Sequence, residues 1–146
     1  MKVLVAIDGT DCSKEALDFV AQRRWDQKDE FLVVCVAEPL TESFDQCDFD
    51  QEFSLEEMVE DCKQLTERGA SRLRNCLSEN KIATSVITGL PVEKIVDKAF
   101  DWDADLIILG SHGRSGCRRF MVGSVAEQVL KQASCTVEVV RVRPHG

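Results

Sequence analysis

Five short apolar runs alternate in this chain with four stretches of helical apolar spacing, and that alternation leaves few folds open. Residues 2–8 are almost continuously apolar up to Asp8, as expected of a strand covered on both faces. Phe31 to Ala37, Ile82 to Thr88, Leu106 to Leu109 and Val137 to Val142 read the same way. A first helix is expected from Lys14 to about Trp25, capped by Asp11 or Ser13, with Ala16, Leu17, Val20 and Ala21 as its buried stripe. From Leu55 the helical period runs through Met58, Val59, Cys62, Leu65, Leu73, Cys76 and Leu77, with Gly69 inside it at a close contact or a small bend. Pro91 suits the first turn of a third helix, and Val125, Ala126, Val129, Leu130 and Ala133 mark a fourth. Strands alternating with helices imply an α/β fold: a single doubly wound five-stranded parallel sheet with helices on both faces.

The length of 146 residues predicts one domain over 1–146, large enough to bury a core. A formal net charge of −8 argues against nucleic acid and against an anionic membrane surface as partners. The opening run is too short for a signal peptide, and no stretch approaches a membrane span. The seven cysteines are odd in number, widely spaced and form no C-x-x-C pair. Reduced thiols in a cytoplasmic protein are therefore expected.

Chemistry concentrates where the fourth strand ends. Gly110 and Gly113 open the loop that leaves it, and nine residues later Gly123-Ser124 begins the last helix. A glycine loop at a strand's C-terminal end, facing an uncapped helix N-terminus, is a site for phosphate. Glycine there is expected to let the backbone approach the oxygens and adopt positive φ. Asp8 falls on the same sheet edge, where ligands of such folds bind. It has two readings: a hold on ribose or a cation, or a brace for the turn into the first helix. His112 either approaches the phosphates or faces solvent. Arg114, Arg118 and Arg119 flank the loop and can offset phosphate charge, with a solvated surface place as the alternative for at least one; Cys117 beside them reads as structurally indifferent, with a redox handle as the alternative. Asp101-x-Asp103-x-Asp105 opens like a calcium loop but lacks its glycine and glutamate, so it reads as a solvated turn. The acidic stretch Asp45 to Glu52 reads as a solvated loop, with a lid over the nucleotide as the alternative.

These residues resemble the universal stress proteins. Nucleotide-binding members carry glycine, two residues, glycine, nine residues, then glycine followed by Ser or Thr, and Gly110, Gly113, Gly123 and Ser124 match that spacing. The opening Ala6-Ile7-Asp8-Gly9-Thr10 is similar as well. The resemblance implies an adenine nucleotide alpha hydrolase-like fold and an ATP-binding role in stress responses. It places adenine near Ala6, Asp8, the Val36 backbone and Leu109. Ribose and phosphates would lie along Gly110, His112, Gly113, Arg114 and Ser115, and at Gly123, Ser124 and Val125. The implied ligand is ATP or another adenine nucleotide, with magnesium bridging the phosphates. Homodimers or higher homo-oligomers paired through the last strand are usual in the family. Here Thr136 stands where proline is common, and Glu138 interrupts the apolar run. A buried unpaired glutamate is costly, so Glu138 must face solvent or a cation. No lysine-bearing phosphate loop and no water-orienting residue stands out, so any ATP hydrolysis is expected to be slow. The expected role is a nucleotide-dependent regulator with an unidentified protein partner; the alternatives are a weak ATPase and a nucleotide-independent interaction module.

Overall fold

The computed structural model describes residues 1–39, 54–112 and 122–142. Along the chain run β1 (Lys2–Ala6), α1 (Asp11–Gln22), β2 (Glu30–Ala37), α2 (Leu55–Cys76), β3 (Lys81–Thr88), α3 (Pro91–Asp101), β4 (Leu106–Gly110), α4 (Ser124–Gln132) and β5 (Thr136–Val140). The strands form one sheet in the order β3-β2-β1-β4-β5, and every described pairing is parallel. The expected α/β architecture is therefore present.

Side-chain alternation along the strands divides the core into two layers. Val3, Val5, Ile7, Phe31, Val33, Cys35, Leu106 and Ile108 meet α1 and α2 through Ala16, Leu17, Val20, Ala70 and Leu73. Leu4, Ala6, Leu32, Val34, Ile107 and Leu109 meet α3 and α4 through Ile95, Ala99, Ala126 and Val129. Each fully buried aliphatic side chain contributes about 1.5–3 kcal/mol relative to exposure. The chain moves outward from β1 to β3 on one side, then crosses to β4 and β5 on the other. Strand order thus reverses between β1 and β4, which fixes where a ligand cleft can open.

The first helix starts earlier and ends sooner than its apolar period indicates. Its N-cap is Thr10, not Asp11 or Ser13: the Thr10 side chain accepts from the Ser13 amide. Asp8 fixes that cap, because its Oδ1 accepts from both the Thr10 amide at 3.0 Å and the Thr10 hydroxyl at 2.6 Å. The helix stops at Gln22, and Arg23 turns extended. Trp25 is therefore not helical; its indole N–H donates to the Val20 carbonyl at 2.8 Å, and its ring meets Phe31 edge-on. Gly69 sits within 3.4 Å of Ile7, Leu17 and Val33 side chains for any added Cβ, so it marks close packing of α2 on the sheet.

The last strand ends at Val140 rather than Val142, where the Val140 carbonyl accepts from Ser111 N–H at 2.8 Å. Glu138 faces a cation, as its cost of burial requires: Arg23 Nη1 donates to both carboxylate oxygens, at 3.0 and 3.1 Å. The Arg23 guanidinium also lies 4.5 Å from the Trp25 ring centre. Both partners of the pair are about one-third exposed, so its worth is that of a surface pair plus a stacked cation. Arg23→Ala is expected to cost about 1 kcal/mol, lowering Tm by roughly 3 °C in a thermal melt.

Asp101 ends α3, and Asp103 and Asp105 lie in the turn that follows. Asp103 takes a left-handed φ of 59°, and Asp105 Oδ2 accepts from the Lys2 amide at 2.7 Å, aligning the starts of β1 and β4. The acidic stretch Asp45 to Glu52 lies outside the described residues. Among the described residues, no helix is long and apolar enough to cross a membrane.

Candidate functional site

The C-terminal ends of β1, β2 and β4 gather most of the expected residues. Ala6 pairs in register with Val34 on one side and Leu109 on the other. Ala6, Leu109, Val36 and Val125 all belong to the core layer that α3 and α4 cover. Val36 lies two residues beyond Val34, on the same face by strand alternation and nearer the sheet's edge. These four share one apolar layer, with a polar rim at the strand ends.

Asp8, Ser111, His112 and the start of α4 make that rim. Asp8 carries out the bracing role considered above, through its two bonds to Thr10. Ser111 N–H is held by Val140, and the Ser111 carbonyl accepts from Gly123 N–H at 2.6 Å. The exit of β4 and the entrance of α4 are thereby clamped together. The Gly123 amide is spent in that clamp, so the amides that α4 can offer a ligand are those of its first turn, Ser124 and Val125 foremost. No side chain caps this helix. Ser124 itself is exposed.

The two described glycines of the motif depart from the expected backbone conformation and have a packing reason of their own. Neither takes positive φ; among the described glycines only Gly9 and Gly89 do. A Cβ on Gly110 would stand 2.6 Å from the Cys12 carbonyl carbon and 2.8 Å from its oxygen, because the first turn of α1 presses on the end of β4. A Cβ on Gly123 would stand 2.8 Å from the Ser111 oxygen and 3.2 Å from His112 Cα. Close approach of two protein segments by itself requires glycine at both positions. Gly113, Arg114 and Ser115, with Cys117, Arg118 and Arg119, lie outside the described residues.

His112 lies at the exit of β4, beside Gly123. Its Nδ1 is 3.1 Å from the Ser111 hydroxyl, whose oxygen is 3.9 Å from Cys12 Sγ. With the hydroxyl assigned as donor to Nδ1, Nε2 carries the ring proton. That Nε2 is buried and has no hydrogen-bond partner among the described residues. A buried unsatisfied polar atom carries a desolvation cost of about 1–3 kcal/mol, which an anionic ligand can relieve. Ser111, 2% exposed, lies within the motif stretch, while Cys12, 3% exposed, was not singled out from the sequence. Their contact joins residues 99 positions apart, and no local pattern encodes it.

Solved and curated relatives bear on this geometry. The model of the universal stress protein family matches residues 1–141. This chain belongs to the universal stress protein family. It is 32% identical to universal stress protein MJ0531 of Methanocaldococcus jannaschii, over 96% of this chain and 81% of that protein. The universal stress protein UspA from Lactobacillus plantarum superposes with a TM-score of 0.78, at 23% identity over 97% of both chains. A universal stress protein from Archaeoglobus fulgidus, solved in complex with dAMP, is 25% identical, with a TM-score of 0.65 over 96% of this chain and 97% of that one.

Proposed function

We propose that this universal stress protein is a cytoplasmic, single-domain ATP-binding regulator whose conformation or homo-oligomeric assembly depends on the bound nucleotide. The observation that carries the reading is the unsatisfied His112 Nε2 beside an α4 entrance with no side-chain cap. Among the described residues Nε2 has no hydrogen-bond partner and no side chain caps α4, and both lie at the rim of the apolar layer. The dAMP-bound relative supports an adenine nucleotide as the acceptor.

In this reading Ala6, Val36 and Leu109 floor the adenine, and the backbone at Val36 offers its edge polar groups. Ser124 and Val125 amides, with His112 Nε2, receive phosphate oxygens; Gly113, Arg114 and Ser115 complete that cradle. A helix N-terminus contributes about 0.3–1 kcal/mol per charge at exposed sites, against about 8 kcal/mol for micromolar affinity. Adenine burial and several amides must therefore act together. Among the described residues no three His, Cys, Asp or Glu side chains group to hold a metal. Magnesium would accordingly take most of its ligands from phosphate oxygens and water. Its chemistry there is to offset phosphate charge. A protein partner would read the nucleotide-dependent state through the surface that state exposes.

A nucleotide-independent interaction module has its own support, because packing alone accounts for Gly110 and Gly123. Titration calorimetry with ATP, AMP and cAMP, each with and without magnesium, separates the two. Binding predicts a micromolar Kd for at least one of them. At a hundredfold excess of nucleotide over Kd the fold gains about 2.7 kcal/mol, a Tm rise of roughly 8 °C. Absence of heat and of any thermal shift with all three nucleotides would transfer the assignment to the interaction module.

A further inference from the structure

Two buried thiols on the opposite face of the sheet lie outside everything assigned so far. Cys35 of β2 and Cys62 of α2 are each 1% exposed, and their sulfurs are 2.8 Å apart. That is only about 0.8 Å more than a covalent S–S bond. Of the five cysteines among the described residues, these are the two whose sulfurs the fold brings together.

We propose that Cys35 and Cys62 are a two-electron redox site that closes into an intramolecular disulfide joining β2 to α2. The oxidant is hydrogen peroxide. One thiolate attacks a peroxide oxygen, the O–O bond breaks, and the departing hydroxide leaves as water after taking a proton. The resulting sulfenic sulfur is attacked by the second thiolate, the S–O bond breaks, and a second water departs. Two thiols and one peroxide give one disulfide and two waters, and the two electrons pass from sulfur to peroxide oxygen. A dithiol reverses the bridge by exchange.

Access is provided by the way α2 begins. Cys62 is the first fully buried residue of that helix; the positions ahead of it, 55–61, are exposed or only partly buried. Fraying of those first turns opens the pair without disturbing Ala70 and Leu73 deeper in the core. The loop that the bridge closes, residues 36–61, is long enough for the crosslink to restrict the unfolded chain strongly. Val36 follows Cys35 directly, so oxidation ties the edge of the candidate adenine floor to α2. The proposal does not depend on nucleotide binding.

The test uses the reduced full-length chain, treated with hydrogen peroxide, acid-quenched, alkylated while denatured, and mapped by mass spectrometry without reductant. The expected result is loss of two alkylatable thiols, a peptide linking Cys35 to Cys62, reversal by dithiothreitol, and a Tm rise on the order of 10 °C. Cys35→Ala/Cys62→Ala should lose the peroxide-dependent Tm rise. Sulfinic acid at either cysteine without a bridge would overturn the proposal. So would a bridge through exposed Cys76, a bridge between chains, or unchanged thiols.

Discussion

Gly110→Ala is expected to lower stability by about 3 kcal/mol, with a Tm fall of roughly 10 °C, whether or not nucleotide is present. The added methyl would meet the Cys12 carbonyl carbon at 2.6 Å, Cys12 Cβ at 2.7 Å and the Cys12 oxygen at 2.8 Å. Two of these are backbone atoms in the first turn of α1, so no side-chain rotation relieves the clash. Relief requires α1 to move away from β4, and α1 is fixed at that end by the Asp8–Thr10 cap. It is fixed at the other by Val20, Ala16 and Leu17 in the core. Overpacking a core costs about 1–3 kcal/mol, and a helix held at both ends belongs at the upper limit. Calorimetric or fluorescence melts of the nucleotide-free protein measure this directly. A variant with unchanged Tm would return Gly110 to the ligand-contact role that its place in the motif suggests.

What is legible in the sequence divides between local signals and contacts that only the fold makes. Apolar periodicity is a local signal, and it located the nine described elements to within a few residues, since each is decided by which side chains must leave water. The start of α1 escaped it. Three nearby polar residues, Thr10, Asp11 and Ser13, can cap, and the choice of Thr10 depends on Asp8 holding its hydroxyl. The end of α1 escaped it too, because Trp25 continues the apolar period while donating back to Val20 from outside the helix. Glu138 was legible as a charge needing a partner. That the partner is Arg23, 115 residues away, is a property of the fold alone.

The site divides in the same manner. Spacing brought out Gly110, Gly123 and Ser124, and a strand-end rule brought out Asp8; all four gather at the edge where strand order reverses. Register then adds what spacing cannot: Ala6 and Leu109 are direct neighbours, and Val36 shares their face. The clamp between Ser111 and Gly123 has no sequence signature, since a backbone-to-backbone bond uses no side chain. Nor does the chain from Cys12 through Ser111 to His112, which joins the start of α1 to the end of β4.

The clamp also decides which variant can test nucleotide binding. A valine at Gly123 would displace Ser111 and His112, so lost binding there would follow equally from a distorted rim. Ser124→Asp separates the effects. Ser124 is exposed at the first position of α4, where a carboxylate favours the helix by about 0.3–1 kcal/mol. The fold should therefore keep its Tm or gain about 2 °C. The same carboxylate competes for the amides that phosphate would use and repels its charge. At about 5 Å and an effective dielectric near 20, that repulsion is on the order of 3 kcal/mol per unit charge before salt screening. ATP affinity is expected to fall at least tenfold, which corresponds to about 1.4 kcal/mol. The loss should exceed that for AMP and shrink as ionic strength rises, because it scales with phosphate charge. Titration calorimetry at two salt concentrations measures both trends. An ATP affinity equal to that of the parent protein would place the phosphates away from α4, and His112 Nε2 would need another acceptor.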